Sequence, residues 1–223
     1  MRKIFFILLF FLSKIIFSQE NYQFDYNTVY EYKKDSLDFN PNIDIYYSNS
    51  KDNSYLLSII KKNDTVFSAY LIDYIKQKIF TFKDDKIQNK NNDINLFSSY
   101  TVGSYNLENC RKSKKRYYEI KYDTIAVEKI IIINQYKNSR KKKLISQSFF
   151  KTKHTEITNN QHYNFRILVK PLWCEKFILK NNDLINYSYF IENDKKVHIR
   201  SLLEINKIDL NINVSSKNAK IDK

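Results

Sequence analysis

The sequence predicts a mainly β protein: a single curved antiparallel sheet or open half-barrel, with one or two short helices. Five apolar and aromatic runs, rich in Tyr, Phe, Ile and Val, succeed one another near the N-terminus, and these residues fit a pleated, half-buried surface. The runs are Phe24–Tyr32, Ile43–Tyr47, Tyr55–Ile60, Val66–Ile72 and Lys78–Phe82. The breaks between them carry Asn, Asp and Ser, which tolerate turn geometry. Strands at this spacing predict an antiparallel meander.

Turns in this chain have few glycines to use. The sequence has one Gly and two Pro, whereas tight β-turns usually take Gly where φ is positive. Asn and Asp are the other residues that best tolerate positive φ. We therefore expect the turns to rest on Asn and Asp, and Gly103 to mark a turn of its own.

The middle of the chain continues the β pattern. The run Ala126–Gln135 contains four consecutive isoleucines, which predict a central strand buried on both faces. Strands are also expected at Tyr117–Tyr122 and Leu144–Lys151, with Arg140–Lys143 in a hairpin loop. The segments 84–110 and 144–165 are where a short helix could form.

The last third predicts three strands and a tail. The strands are Leu184–Glu192, Lys196–Ile205 and Ile208–Val214, with a turn at Asn193-Asp194-Lys195. Residues 215–223 are polar and are expected to fray.

The N-terminus has the layout of a secretory signal peptide. Arg2 and Lys3 precede an apolar run from Ile4 to Leu12, and small Ser18 follows. The alternative is a membrane anchor, but a spanning helix needs ~20 mostly apolar residues, and Ser13-Lys14 interrupts this run. Cleavage between Ser18 and Gln19 would leave 205 residues without a transmembrane span. The expected organisation is a signal peptide at 1–18, one β-rich domain at 19–214 and a polar tail at 215–223, in a periplasmic or secreted protein.

The chain is strongly basic, with a formal net charge of +14. The signal peptide holds three of these positive charges and no acid, so the mature chain carries +11. Such a balance suits nucleic acid, an anionic membrane surface or acidic glycans. Export argues against nucleic acid as the partner. The high content of Lys, Asn, Ile and Tyr also fits an A+T-rich genome, which explains the charge without any function.

Several stretches resemble known secreted proteins. The run Phe17-Ser18-Gln19-Glu20 resembles the signal-peptide ends of secreted Bacteroidota proteins. The aromatic strand around Phe24-Asp25-Tyr26 and the closing run Leu184–Val214, with its Leu202-Leu203-Glu204-Ile205, are similar to secreted proteins with a curved sheet of the LolA or GLPGLI type. The motif that names the GLPGLI family is absent here. The resemblance implies a lipoprotein-carrier-like fold and an envelope location, and it implies no active site.

Two cysteines, Cys110 and Cys174, remain in the mature chain. An even count in an exported protein suggests a disulfide, and two separate buried thiols are the alternative. Cys110 precedes Arg111 and Lys112, whose charges would lower a thiol pKa. The disulfide is the interpretation that the compartment favours.

No pattern indicates catalysis, a cofactor or a metal. His154, Glu156 and His162 form the sole local cluster of metal-ligating residue types, and their spacing matches no common ligand pattern. The acids Asp84, Asp85, Glu192 and Asp194 lie in polar breaks, where turn residues are expected. One Gly cannot build a phosphate-binding glycine loop. We expect a non-enzymatic protein with no cofactor.

Two basic runs are candidates for contacts with an anionic surface. They comprise Arg111, Lys114, Lys115 and Arg116 in the first run and Arg140, Lys141, Lys142 and Lys143 in the second. Charge runs are more often solvated loops, and that alternative stays open.

Three functions remain possible from the sequence. The first is a carrier that holds a lipid, a lipoprotein acyl chain or another apolar ligand on the concave face of its sheet, which predicts an apolar cavity of roughly 300–1,000 Å³. The second is an envelope interaction or structural protein that binds anionic surfaces through its Lys/Arg loops. A hydrolase with an unrecognised site ranks third.

Overall fold

A computed structural model describes residues 19–52, 54–63, 65–83, 99–104, 117–125, 128–156, 183–215 and 219–221. These residues form twelve strands. They are β1 (Gln19–Asp35), β2 (Asn42–Ser48), β3 (Tyr55–Lys62), β4 (Thr65–Asp73), β5 (Lys78–Lys83), β6 (Ser99–Ser104), β7 (Tyr117–Ile125), β8 (Glu128–Tyr136), β9 (Leu144–His154), β10 (Asp183–Glu192), β11 (Lys195–Ser215) and β12 (Ala219–Ile221).

The described strands belong to one sheet, in the order β12-β6-β5-β4-β3-β2-β1-β11-β10-β9-β8-β7. Strands β1 to β6 form one antiparallel meander and β7 to β11 form another. The sheet remains open, with β12 and β7 at its two edges. The predicted fold class, a mainly β protein with a single antiparallel sheet, is confirmed, and the five predicted N-terminal strands correspond to β1–β5.

The two longest strands, β1 and β11, join the meanders at the centre of the sheet. They pair from Gln19↔Ser215 to Asp35↔Val197. The sequence predicts two strands where β11 is continuous, and that prediction is wrong. The polar pair Asn206-Lys207 interrupts the apolar alternation, but both residues still pair with β1, so the backbone continues through register shifts instead of a turn.

The sheet curls so that the start of β1 packs on the first meander. The ring of Tyr22 lies 5.1 Å from that of Tyr55 in β3 and 6.0 Å from that of Phe80 in β5. Strands β1 and β5 are four strands apart, which in a flat sheet is about 19 Å. A buried core therefore forms between the bent ends of β1 and β11 and strands β2–β5. Its members include Phe24, Tyr47, Leu57, Ile59, Leu71, Phe82, Ile212 and Val214.

The opposite face of the sheet carries a second apolar cluster. It contains Tyr30, Tyr46, Leu56, Tyr74, Ile131, Ile133, Phe150 and Ile185. In β8, three of the four consecutive isoleucines are at most 3% exposed, and adjacent residues point to opposite faces. The predicted burial of this strand on both faces is confirmed.

Turn chemistry follows the prediction in part. Asn63, Asn193 and Asp194 take positive φ of 50°, 49° and 62°, and the Asn193-Asp194 pair forms the two-residue turn between β10 and β11. Gly103 does not mark a turn. It lies inside β6 opposite Ile79, where an added Cβ would stand 3.1 Å from the Ile79 side chain.

The described residues contain no helix. On the sequence alone, short helices are expected within 84–110 and 144–165. In the first segment residues 99–104 form a strand, and in the second residues 144–154 form a strand. Apart from residues 155–156, the rest of both segments lies outside the described residues. Ala219–Ile221, in the predicted tail, pairs in parallel with β6.

Candidate functional site: a basic rim of the sheet

Strand direction places the turns of the sheet at two opposite rims. Strands β1, β3, β5, β8 and β10 end at one rim, where β2, β4, β6, β7, β9, β11 and β12 begin. We call it the basic rim, and it comprises the two terminal residues of each strand there together with the connecting turns. The opposite rim is defined in the same way, where β1 begins.

Charge is divided unequally between the two rims. Among the side chains that the structure describes, the basic rim holds ten cations and four acids. The cations are Lys34, Lys61, Lys62, Lys137, Arg140, Lys141, Lys142, Lys143, Lys195 and Lys196, and the acids are Asp35, Asp38, Glu192 and Asp194. The opposite rim holds five of each among its described side chains. They are Lys51, Lys76, Lys78, Lys129 and Lys153 against Glu20, Asp52, Asp73, Glu156 and Asp183. The electrostatic potential is therefore more positive at the basic rim than at the opposite rim.

The predicted basic run Arg140–Lys143 lies in the turn between β8 and β9, as expected. The Asn138 side chain accepts a hydrogen bond from the Lys142 amide at 3.3 Å, and Lys141 takes a φ of 52°. All four basic side chains are exposed. The Lys141 ammonium lies 3.4 Å from Glu119, so this lysine also ties the turn to β7.

Glu119 stays charged at any ordinary pH. The Tyr136 hydroxyl donates to it at 2.9 Å and the Asn134 amide donates at 3.2 Å, and these bonds lower the pKa of Glu119 to about 2. Glu119 thus holds Lys141 in place.

The turn between β1 and β2 is organised by two carboxylates. Asp35 accepts a hydrogen bond from the Leu37 amide at 2.9 Å. Asp38 accepts from the Lys34 amide at 2.9 Å and from the Asn40 amide at 3.1 Å. These backbone hydrogen bonds lower the pKa of Asp38. The acids of this turn therefore satisfy its own backbone.

The same turn presents two apolar side chains to solvent. Leu37 is 74% exposed and Phe39 is 89% exposed. The sequence analysis missed both of them, because it treated the segment between the predicted strands Phe24–Tyr32 and Ile43–Tyr47 only as a polar break. The signal was available, since Leu37 and Phe39 are large apolar residues outside any predicted strand.

A groove of about 560 Å³ opens on the basic rim beside this turn. Its lining comprises Tyr32, Lys34, Asp35, Leu37, Asp38, Asn40, Asn42 and Lys62. The volume falls in the range expected of a ligand pocket. The lining is mainly polar, however, so this groove is not the apolar cavity that a lipid carrier requires.

Tyr32, one of the lining residues, contacts two side chains of β11. The Arg200 guanidinium lies 4.6 Å from the centre of the Tyr32 ring, and the Tyr32 hydroxyl is 2.7 Å from Nδ1 of His198. Burial raises the pKa of Tyr32, and the charge of Arg200 acts against that shift. Arg200 is in turn paired with the buried carboxylate of Asp44 at 3.3 Å. One lining residue of the groove is therefore connected through Arg200 to a buried ion pair.

Acids neutralise most of the cations at the opposite rim. Glu20 contacts Lys78 at 2.7 Å and Lys76 at 3.1 Å. Burial acts to raise the pKa of Glu20, but hydrogen bonds from Lys78, Tyr22 and Lys76 outweigh it and lower the pKa to about 2. A further pair joins Lys129 to Asp183 at 2.8 Å. Three of the five described cations of this rim, Lys76, Lys78 and Lys129, are therefore held in ion pairs.

Several predicted site residues lie outside the described residues. They are Cys110, Cys174, Arg111, Lys114, Lys115, Arg116, Asp84, Asp85 and His162. Pairing of the cysteines and clustering of the two basic runs therefore stay predictions. Glu192 ends β10 and Asp194 lies in the turn that follows.

No group of three His, Cys, Asp or Glu residues that could hold a metal occurs within the described ranges. His154 lies at the end of β9 with Nδ1 3.7 Å from Asp183. In the same part of the chain, no helix has the length and apolar character needed to cross a bilayer.

Comparison with solved structures finds proteins of similar fold. No family model matches the sequence, and no curated protein matches it. The chain is similar to the crystal structure of a LolA superfamily protein from Nitrosomonas europaea, with 9% sequence identity and a TM-score of 0.33. The match covers 84% of this chain and 87% of the other. LolA is also the type that the sequence resembles. At this sequence identity and TM-score, the match carries no argument about the function of this chain.

Proposed function

We propose that this protein is a non-enzymatic envelope protein that binds anionic surfaces through its basic rim. The observation that carries the proposal is the separation of charge between the two rims. The basic rim gathers ten described cations against four acids, and the opposite rim balances five against five. Basic turns on one end of a rigid sheet attract an anionic surface over about a Debye length, ~8 Å at physiological salt.

The arrangement of the acids strengthens this proposal. Asp35 and Asp38 are bonded to the backbone of their own turn, and Arg140, Lys142 and Lys143 are exposed in theirs. The rim therefore keeps a surplus of exposed positive charge after its internal contacts are formed.

Salt-dependent binding tests the proposal. The mature protein is mixed with phosphatidylglycerol vesicles and, separately, with an alginate resin, over a range of NaCl concentrations. Lys142→Gln/Lys143→Gln should weaken binding to both, whereas Lys51→Gln/Lys153→Gln, which removes two exposed cations from the opposite rim, should leave it unchanged. Equal loss in the two variants, or no binding to either surface by the parent protein, overturns the proposal.

A second function, transport of an apolar ligand, is favoured by the second apolar cluster. Leu56, Tyr46, Tyr30, Ile185 and Phe150 share one face of the sheet from β3 to β9. The side chains of Ile131 and Ile120 extend this row to β7. The row then crosses eight strands, and its length is about 34 Å at the usual spacing between strands. That length exceeds an extended acyl chain. Several of these side chains are fully buried, and we therefore rank surface binding first.

Native mass spectrometry of the protein purified from its own envelope separates the two functions. A lipid-sized adduct that is lost on denaturation supports a carrier, and a bare mass opposes it. The denatured mass also shows whether residues 1–18 are removed at Ser18–Gln19, as the sequence predicts.

A further inference from the structure

We infer that the anionic surface is a lipid bilayer, into which the turn between β1 and β2 inserts Leu37 and Phe39. The inference rests on the proposed function and names its partner. Binding to an anionic polysaccharide or protein surface would require only the charges of the basic rim. The exposed apolar residues of the basic rim are what point to hydrocarbon.

The first argument is the construction of the turn. Its two carboxylates accept hydrogen bonds from the amides of Lys34, Leu37 and Asn40, so the acids face the turn's own backbone. Leu37 and Phe39 alternate with Asp38 and are 74% and 89% exposed. A turn held in this way keeps its apolar side chains extended towards solvent. Exposed apolar groups beside positive charge are typical of sites that enter the headgroup region of a membrane.

The second argument is a matching apolar pair elsewhere on the same rim. Leu144 and Ile145, which directly follow the basic run Arg140–Lys143, are 50% and 49% exposed. In the sheet, β1 is followed by β11, β10, β9 and β8. At the usual spacing between strands, the turn between β1 and β2 is therefore about 20 Å from the turn between β8 and β9. Two apolar points on one rim would align that rim with the surface of a planar bilayer.

The third argument is charge complementarity at both points. Lys34 and Lys62 line the groove beside Leu37, and Arg140, Lys142 and Lys143 precede Leu144. Anionic lipid headgroups attract such lysines and arginines, and the attraction falls off within a Debye length. Cations at the level of the headgroups and apolar side chains below them match the layers of an anionic bilayer.

The opposite rim supplies a control turn that has both an exposed apolar residue and lysines. Ile75, in the turn between β4 and β5, is 77% exposed and is also followed by lysines, Lys76 and Lys78. Both lysines contact Glu20. This turn therefore presents an apolar residue without surplus positive charge, and we expect it to remain in water.

Fluorescence of single tryptophan substitutions tests the inference. Phe39→Trp and Ile75→Trp are compared on phosphatidylglycerol vesicles that contain brominated acyl chains, after subtraction of the parent spectrum with its one native tryptophan, Trp173. We expect a blue shift and bromine quenching for Phe39→Trp only. Quenching that is absent at residue 39 although the protein still binds the vesicles overturns the inference and leaves the proposed function intact. Loss of binding to both vesicles and alginate in the parent overturns both.

Partitioning gives a second readout. Leu37→Ser/Phe39→Ser should weaken vesicle binding about tenfold or more, because burial of one large apolar side chain alone corresponds to at least that factor. The same variant should bind alginate like the parent. The exposed residue Leu203 of β11, 53% exposed, provides the control Leu203→Ser, which should bind vesicles normally. Equal weakening on vesicles and alginate would contradict insertion.

Discussion

The carboxylate of Asp44 in β2 lies 3.3 Å from Nε of Arg200 in β11, across the intervening strand β1. The side chains are 5% and 16% exposed, and the Tyr46 hydroxyl donates to the same carboxylate at 3.2 Å. The contact joins residues 156 positions apart in the sequence. It links the first meander to the second, and Arg200 also contacts the ring of Tyr32, which lines the groove.

Replacement of Arg200 should destabilise the sheet strongly. Arg200→Met leaves the Asp44 carboxylate buried without its cation, which should lower the free energy of unfolding by about 3 kcal/mol. Arg140→Met removes an exposed arginine and should change it by less than about 0.5 kcal/mol. Urea denaturation measures both, and comparable values would contradict the role of the ion pair.

A second link between the meanders depends on Tyr30. This tyrosine is fully buried, and its hydroxyl donates to the Ile185 carbonyl at 2.7 Å. Tyr30→Phe should lower the free energy of unfolding by about 1–2 kcal/mol, because the carbonyl loses a buried partner. Tyr122→Phe, on a ring that is 66% exposed, is the control. Thermal or urea unfolding that does not distinguish the two variants would count against this hydrogen bond.

Stability should depend on pH through Glu20. The folded-state pKa of Glu20 is about 2, below its ordinary value of 4.5. A lowered pKa means that the ionised form is favoured in the folded state, so its stabilisation is present above about pH 4.5 and is lost as pH falls towards 2.

The comparison of the parent with Glu20→Gln isolates this contribution. At pH 7 the variant should be less stable by about 1 kcal/mol, a value reduced by solvent screening. The difference should shrink between pH 4.5 and pH 2, as followed by urea unfolding at each pH. A difference that is independent of pH would show that the glutamate acts only through packing.

The two cysteines are expected to form a disulfide, because their number is even and the protein is expected to be exported. A disulfide between Cys110 and Cys174 would close a loop of roughly 65 residues and stabilise the fold by ~4 kcal/mol in the chain-entropy model. Alkylation without reductant, followed by mass measurement, should find no free thiol in the exported protein. Two labelled cysteines would show that the thiols are separate.

The sequence predicts much of the fold because the apolar runs alternate with polar breaks. It predicts the hairpin loop between β8 and β9 and the turn at Asn193-Asp194, where both residues take positive φ. It fails at Asn206-Lys207, where pairing with β1 overrides a local polar signal. Such pairing involves residues that are far apart in sequence, and local patterns carry no information about it.

The candidate site was less predictable than the fold. Arg140–Lys143 was identified from its composition, but a charge run alone does not show which other turns stand beside it. The separation of charge between the two rims emerges only from strand direction and order. Leu37 and Phe39 lie outside every predicted strand, and the structure adds that both side chains are exposed.

The pairing of β1 with β11 also governs when the chain can fold. Gln19 pairs with Ser215, so the centre of the sheet joins the first and last long strands. A ribosome or translocation channel that releases the chain from its N-terminus delivers β11 only after β2 to β10. Until then one edge of β1 has no partner strand, and a contact of such long sequence separation forms slowly. The topology thus postpones completion of the sheet until β11 has emerged.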